Sequence, residues 1–383
     1  MSITAAQGFA AAGIAAGIKS TAKADLALVV NQGPRFDAAA VFTSNRVVAA
    51  PVIWSRRAVA DGVLHAVVLN SGGANACTGA PGLEDAAATA KAVAQSVDCE
   101  PDDVAVCSTG LIGVRLPMAA VLSGIAAAAD QLSADGGDAA AHAIMTTDTV
   151  PKQALAEGEG YTIGGMAKGA GMLAPALATM LVVITTDAEI SAPDLQTCLQ
   201  KATALTFDRI DSDGCMSTND TVLALASGAS GTIPDLDDFT TNLARVCWSL
   251  ARQLIGDAEG ASHDIAVEVT GAASEQDALE VAREIARSNL FKCAIFGNDP
   301  NWGRVLSAIG VTSAAFEADE LDVTMNGVQV CRAGGVGDPR ELVDLTGREC
   351  QVLVDLHAGE HKATIWTNDL TYGYVKENAE YSS

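Results

Sequence analysis

The sequence predicts a mixed α/β fold (α+β) with two lobes, in which sheets and helices form packed layers. Three observations point to it: the chain has 383 residues, short apolar segments of strand length recur along it, and Ala-rich segments of helix length lie between them. A chain of this length is too long for one simple core. Hydrophobic residues make up 49% of the sequence, which is enough to bury a substantial interior.

The first half of the chain begins mainly with strands. Apolar segments bounded by turn residues predict strands over Leu26–Val30, Ala38–Phe42, Ala66–Leu69 and Val104–Cys107. An Ala-rich helix is predicted over Leu83–Ser96, because acidic residues occupy its first turn. A second helix is predicted from Pro117 to about Leu132, since proline suits a first turn, and a short helix leads to Met145.

The segment Gly164–Thr179 is the least regular part of the sequence. Its four glycines and one proline predict neither a regular helix nor a central strand. The apolar segment Met180–Ile184 follows it directly and predicts a strand that is buried on both faces.

The second half of the chain alternates helices and strands. The helices are predicted over Asp194–Thr206, Leu236–Ile255 and Glu275–Ser288. The strands are predicted over Ile265–Val269, Leu321–Met325, Gln351–Leu356 and Ala363–Trp366.

Composition excludes several functional classes. The net charge is -24, which disfavours binding to nucleic acid or to an anionic membrane surface. The nine cysteines include no C-x-x-C pair and no cluster with zinc spacing, so no metal site is expected and a reducing cytoplasm is favoured. No basic leader and no apolar segment of about 20 residues is apparent, so we expect a soluble cytoplasmic protein. No cofactor motif is present.

Thr179 is the candidate nucleophile. Its hydroxyl lies where a Gly-rich loop meets a buried strand, a junction at which backbone strain can aim it at the Ala178 carbonyl. Attack would convert the amide to an ester, and water would then release Thr179 with a free α-amine of pKa about 7.7–8.0. A threonine activated by its own amine is an established nucleophile. The alternative is an ordinary turn before a strand, since other Ala-Thr pairs occur in the sequence.

Several motifs together resemble the ornithine acetyltransferase family of arginine biosynthesis. The segment Met166–Met180 resembles the family's self-cleavage segment, and Cys107–Gly113 resembles its oxyanion-hole segment. Further family-like motifs follow in the same order along nearly the whole chain: Ile144–Thr149, Ser217–Thr221, Asp257–Gly260, Asp299–Arg304 and Tyr381–Ser383. The resemblance also implies the family's layered architecture, of the N-terminal-nucleophile type.

The resemblance implies an activity and a processing step. The family moves an acetyl group from N2-acetyl-L-ornithine to L-glutamate through an acetyl ester on the threonine that matches Thr179. Cleavage between Ala178 and Thr179 would give an α fragment, 1–178, and a β fragment, 179–383, assembled as a dimer of heterodimers. Some members also use acetyl-CoA as the acetyl donor, and no residue here decides between the two types.

The resemblance also implies the site residues. The oxyanion hole would be formed by the Thr109 hydroxyl and the Gly110 amide. The substrate-binding residues would be Thr146 (with Thr147 as the near alternative), Lys168, Thr179, Glu259, Asn378 and Ser383. For each of these residues a purely structural role is the alternative.

Three residues, in two places, depart from the family pattern. Ser262 and His263 stand where the family has a Thr-Lys pair, and Ala379 stands where serine is common. The segment from Asn298 to Arg304 is family-like but has no assigned chemical role. A related hydrolase, such as an aminopeptidase or amidase, and a non-catalytic binding protein remain the competing functions.

Overall fold

The computed structural model describes residues 3–174 and 180–380. They form two compact units. The first unit contains the residues up to Asp208 together with Met216–Asp257, and the second contains Arg209–Cys215 and the residues from Ala258 onward. The predicted mixed α/β fold with two lobes is therefore confirmed. The boundaries of the units differ from those of the predicted α and β fragments, whose cleavage remains a prediction.

The first unit contains two sheets and six helices. Its strands are β1 (Phe9–Ile14), β2 (Leu26–Asn31), β3 (Asp37–Phe42), β4 (Ala66–Ser71), β5 (Val104–Thr109), β6 (Lys152–Gly158), β7 (Tyr161–Lys168), β8 (Leu181–Thr186) and β9 (Thr221–Ala226). Its helices are α1 (Ala50–Ala58), α2 (Gly79–Val97), α3 (Met118–Ala129), α4 (Gly137–Ala143), α5 (Ala192–Leu205) and α6 (Leu236–Gly256).

The nine strands described in the first unit form two sheets that share one core, and the candidate site lies at the ends of β5 and β7 and the starts of β8 and β9. One sheet has the order β1-β2-β4-β5, and the other has the order β3-β9-β8-β7-β6. The pairs β4–β5 and β8–β9 are parallel, and the other neighbours are antiparallel. Both sheets contribute to one hydrophobic core, to which Val29 and Leu69 belong from the first sheet and Val183 and Leu223 from the second.

The second unit contains one sheet with helices packed against it. Its strands are β10 (Asp264–Ala272), β11 (Asp322–Met325), β12 (Val328–Arg332), β13 (Gly335–Val336), β14 (Glu349–Asp355) and β15 (His361–Asn368), in the order β13-β12-β11-β14-β10-β15. Its helices are α7 (Glu275–Arg287), α8 (Asn289–Phe296), α9 (Trp302–Ile309) and α10 (Tyr372–Glu380). No helix in the described ranges is long and apolar enough to cross a membrane.

Local sequence explains where the helices begin. The Asp235 side chain accepts hydrogen bonds from the first backbone amides of α6, and Ser274 does the same for α7. A proline occupies the first turn of α5. The predicted helices and strands are present at nearly the predicted bounds, whereas the following elements were not predicted: β1, β6, β7, β9, β12, β13, α1, α8, α9 and α10.

One structural prediction is wrong: the glycine-rich segment begins as a central strand. Gly164 and Gly165 lie within β7, which pairs with β6 on one side and β8 on the other. A Cβ atom at Gly165 would lie 3.0 Å from Val246 and 3.1 Å from Leu250, both on α6. The glycine is therefore used for close packing of a helix on the strand, and not for a turn.

Candidate active site

A tight turn follows β5 and holds the two predicted oxyanion-hole residues. The amides of Gly72 and Gly73 both donate to the Thr109 carbonyl at 3.0 Å. Gly110 has φ +130°, and a Cβ there would lie 2.6 Å from the Gly73 nitrogen, so only glycine fits. No hydrogen-bond acceptor for the Gly110 amide is found among the described residues. We call residues 109–111 with 72–74 the oxyanion turn.

Lys168 lies beside the oxyanion turn, at the end of β7. Its side chain is only 2% exposed, and its Nζ donates to Thr109 Oγ1 at 3.2 Å. Because the threonine hydroxyl accepts from the ammonium group, its own hydrogen stays available to donate elsewhere. Two predicted site residues, 59 positions apart in sequence, are thus in direct contact.

Asp148 connects Thr146 to the residue that follows Lys168. Its carboxylate accepts hydrogen bonds from the Thr146 amide at 2.9 Å and from the Gly169 amide at 2.7 Å. Burial alone would raise the pKa of Asp148, but the positive charges of Lys168 and Lys152 and the Gly169 amide lower it to about 2. The carboxylate therefore stays ionised and orders both predicted substrate-binding segments.

Lys152 joins two carboxylates in the interior. Its side chain is fully buried, and its Nζ donates to Asp148 and to Asp257, each at 2.6 Å. Asp257 also accepts from the Thr149 amide at 3.0 Å and from the Thr149 hydroxyl. With Lys168 nearby, the cluster contains two cations and two anions, so its charges balance. Sequence analysis missed Lys152 and Asp148, and the only signal was a lysine among the alternating apolar residues of β6.

The start of β8 is fixed from the neighbouring strand. The Met180 amide donates to Asp220 Oδ1 at 3.1 Å, and the Met180 carbonyl accepts from the Thr221 amide at 3.2 Å. Ala178 and Thr179, the predicted cleavage site and nucleophile, lie outside the described residues. Their assignment therefore stays a prediction, although the strand expected directly after them is present.

Glu259 and Asn378 are brought together in the second unit. The Asn378 side-chain amide donates to Glu259 Oε2 at 3.0 Å. Glu259 also lines a cavity of about 90 Å³ together with Asp213, Lys292, Asp369 and Tyr374. Ser383 lies outside the described residues.

The Ser262–His263 departure lies inside the second unit. His263 Nδ1 is 2.8 Å from Asp369 Oδ2, and His263 Nε2 is 2.9 Å from the Leu345 carbonyl. Burial would raise the pKa of Asp369, yet hydrogen bonds from Ser262 and His263 hold it below its usual range. Both departing residues thus serve to bind Asp369.

The segment from Asn298 to Arg304 links α8 to α9. Arg304 donates to the Leu290 carbonyl, and Asn298 has φ +53° at the turn. These contacts are structural, and they give the segment no chemical role.

Two known proteins are similar to this chain over its whole length. The arginine biosynthesis bifunctional protein ArgJ of Streptomyces avermitilis is 63% identical over 383 residues, covering 100% of both chains. The protein of the same name from Bifidobacterium longum is 57% identical over 391 aligned positions, again covering 100% of both.

Two solved structures are also similar. The ornithine acetyltransferase of Mycobacterium tuberculosis, crystallised with ornithine, is 53% identical and has a TM-score of 0.45; the match covers 47% of this chain and 96% of that one. The ArgJ protein of Bacillus halodurans is 38% identical with a TM-score of 0.49, and the match covers 51% of this chain and 97% of that one.

The fold, the buried polar site and the full-length relatives define the protein as an enzyme. A model of the ArgJ family matches residues 10–383. The chain belongs to the ArgJ family.

Proposed function

We propose that this enzyme moves the acetyl group of N2-acetyl-L-ornithine to L-glutamate, releasing L-ornithine and N-acetyl-L-glutamate. The reaction is ping-pong and passes through an acetyl ester on Thr179. The relatives that match the whole chain are named for arginine biosynthesis, and one similar structure is an ornithine acetyltransferase.

The observation that carries the proposal is the contact between Lys168 and Thr109. A buried cation beside a hydroxyl donor, at a turn that only glycine can complete, suits a substrate that has a carboxylate next to its acylated amine. Both proposed substrates carry an α-carboxylate, and we assign Lys168 to bind it.

The chemistry has two matched halves. The Thr179 α-amine takes the proton of its own hydroxyl, and Oγ1 bonds to the acetyl carbon of N-acetylornithine. The tetrahedral oxyanion receives hydrogen bonds from the Thr109 hydroxyl and the Gly110 amide, each worth about 2.7–4 kcal/mol in a comparable oxyanion hole. Collapse breaks the carbon–nitrogen bond, and the departing ornithine amine takes the proton.

The second half reverses these steps. The amine of glutamate attacks the acetyl ester, the same oxyanion turn stabilises the second tetrahedral intermediate, and Oγ1 leaves with the proton. Glu259, held by Asn378, supplies a carboxylate that suits the side-chain ammonium of ornithine. Thr146, ordered by Asp148, completes the proposed substrate contacts.

The decisive experiment combines intact mass with kinetics. Wild-type protein is expected as two fragments, 1–178 and 179–383, whereas Thr179→Ala stays one chain without activity. Thr203→Ala removes another threonine that follows an alanine, and it should cleave and react normally. Incubation with N-acetylornithine without glutamate should add one acetyl group to the 179–383 fragment. Active enzyme recovered as an uncut chain would overturn the proposal.

Three further tests concern the acetyl donor, the acetyl acceptor and the assembly of the fragments. Acetylation of glutamate from acetyl-CoA would establish the second activity that we infer from the word bifunctional in the names of the relatives. An aminopeptidase or amidase is disfavoured by the full-length relatives. It would return as the better assignment if hydrolysis outran transfer at saturating glutamate. We further propose a dimer of heterodimers, which native mass spectrometry would test.

A further inference from the structure

The segment Ser217–Thr221, a family-like motif with no role so far, lies between the oxyanion turn and β8. All five of its residues are polar and all are buried; their exposures are 4% for Ser217, 7% for Thr218, 4% for Asn219, 0% for Asp220 and 1% for Thr221. Five consecutive buried polar side chains are costly unless each is used for a defined bond. We call this segment the clamp.

One side of the clamp holds the oxyanion turn. The Asn219 side-chain amide donates to the Ser108 carbonyl at 2.8 Å and to the Ala74 carbonyl at 2.6 Å. Ser108 directly precedes Thr109, and the Ala74 amide donates to the Leu111 carbonyl at 3.0 Å. The Asn219 side chain therefore binds both backbone segments that form the oxyanion turn.

The other side of the clamp holds the first residue of the nucleophile strand. Asp220 accepts from the Met180 amide and the Thr221 amide donates to the Met180 carbonyl, so both polar groups of that peptide unit are fixed. Met180 directly follows Thr179 in the sequence, so the clamp fixes the residue next to the proposed nucleophile.

Asp220 has an unusual environment for a purely structural acid. Its Oδ2 is buried and has no hydrogen-bond partner in residues 3–174 and 180–380. Burial raises the pKa of its carboxyl well above the usual range, against the opposing effects of hydrogen bonds from the Met180 amide and from Ser217 and of the Lys168 charge.

We propose that the clamp sets the spacing between the oxyanion turn and Thr179, and that Asn219 and Asp220 are positioning residues for both self-cleavage and acetyl transfer. Both reactions need the same nucleophile to meet the same oxyanion donors. A misplacement of about 1 Å can cost about 100-fold in rate. The inference rests on the proposed function only through the identity of the nucleophile.

The test measures self-cleavage by intact mass over time, with no substrate present. Asn219→Ala and Asp220→Ala should each slow cleavage by about 10- to 100-fold. In protein that has cleaved, kcat should fall by a similar factor, and KM should change by less than about threefold because the substrate contacts remain. Asp220→Asn keeps an oxygen for the Met180 amide and should restore most of the rate lost in Asp220→Ala.

Asp187→Ala is the matched control at the opposite end of β8. Asp187 is also buried, and its carboxylate accepts from the Thr162 amide at 2.7 Å and from the Gln7 amide at 3.0 Å. We expect this control to lower the melting temperature as much as the clamp variants do, yet to cleave at the wild-type rate. Clamp variants that cleave as fast as Asp187→Ala would overturn the proposal.

A milder variant keeps the test readable if Asn219→Ala does not fold. Thr218 donates through its hydroxyl to Asn219 Oδ1 at 2.6 Å, so Thr218→Val loosens Asn219 without opening a cavity. Cleavage should slow by a few-fold, and an unchanged rate would count against the clamp. Wild-type protein that cleaves but transfers no acetyl group would overturn the proposed substrates and leave the cleavage test of the clamp intact.

Discussion

At the scale of single residues, a buried lysine is the strongest sign of function in the first unit. Lys168 is almost fully buried, and its ammonium group donates to the neutral hydroxyl of Thr109. Asp148 provides compensating charge through the surrounding cluster. A buried cation beside the oxyanion turn suits a substrate carboxylate, which is the role proposed for Lys168.

Replacement of Lys168 by methionine should therefore weaken substrate binding. A hydrogen bond to a charged group contributes roughly 1.5–3 kcal/mol, so we expect kcat/KM to fall about 10- to 100-fold for both substrates, mainly through KM. Lys91→Met, at an exposed position on α2, is the control and should leave the kinetics unchanged. An unaltered KM in Lys168→Met would show that the cation does not bind substrate.

Asp148 gives a prediction for the dependence of stability on pH. Its pKa of about 2 in the folded protein lies below the ordinary value of about 3.9, so its stabilising contribution is present above about pH 5. The contribution, about 2 kcal/mol, is lost as the pH falls through 4 towards about 2. Urea unfolding between pH 7 and pH 3 should show about half of this loss, because pH 3 still lies above the folded-state pKa.

The matching variants isolate this carboxylate. Asp148→Asn should be less stable at pH 7 and should depend less on pH across the acid range. Asp130→Asn, at an exposed helix end, should keep the wild-type dependence. Equal acid dependence in wild type and Asp148→Asn would contradict the assignment of the pKa shift.

The sequence could identify site residues that lie in motifs, but it could not identify their supports. Thr109 and Lys168 were predicted from resemblance, and their contact at 3.2 Å fits that prediction without testing their roles. Lys152 was not predicted, because a lysine in a polar–apolar alternation is expected on the surface. Only the tertiary fold shows that it is fully buried between two carboxylates.

At the scale of elements, the oxyanion turn depends on close approach of two backbones. Gly110 and Gly113 both have positive φ, at +130° and +82°, but only Gly110 has atoms within 4 Å of the position that a Cβ would occupy. Alanine at Gly113 should carry only the free-energy cost of the positive φ, whereas alanine at Gly110 should also carry the cost of a steric clash.

Gly110→Ala should disrupt the site, and Gly113→Ala should not. Both variants carry a backbone cost for the positive φ, of about 1–3 kcal/mol. Gly110→Ala also pushes the turn away from the Gly73 nitrogen, and we expect cleavage and kcat to fall about 100-fold. The comparison uses melting temperature and intact mass. Equal cleavage rates in the two variants would exclude the close approach as a requirement.

The sequence predicted secondary structure correctly where an apolar segment is long, and it failed where the packing of another element determines the structure. The six residues of β8 are all buried, as its sequence predicts. The glycines of β7 suggest a loop, but the packing of α6 against Gly165 needs a residue without a side chain. Sequence shows the absence of a side chain at this position and cannot show the helix that requires it.

At the scale of the whole molecule, the predicted fragments are interleaved in one sheet of the first unit. In the order β3-β9-β8-β7-β6, the strands β3, β6 and β7 belong to residues 1–178, and β8 and β9 belong to residues 179–383. Two ladders therefore join the fragments: β3 with β9, and β7 with β8. Helix α6, from the second fragment, also packs on β6 and β7.

This interleaving predicts that cleavage does not release either fragment. Native mass spectrometry should find both fragments together, at the 38.9 kDa of the whole chain per heterodimer and about twice that for the proposed dimer of heterodimers, and a denaturing gel should show two bands. Refolding from urea provides the sharper test, because the cleaved protein must reunite two chains. Its refolding rate should rise with protein concentration, whereas the uncut Thr179→Ala chain should refold at a rate independent of concentration. In this strand order β8 and β9 lie between β3 and β7, so removal of either fragment would break the sheet. Fragments that separate on a sizing column without denaturant would therefore contradict this arrangement.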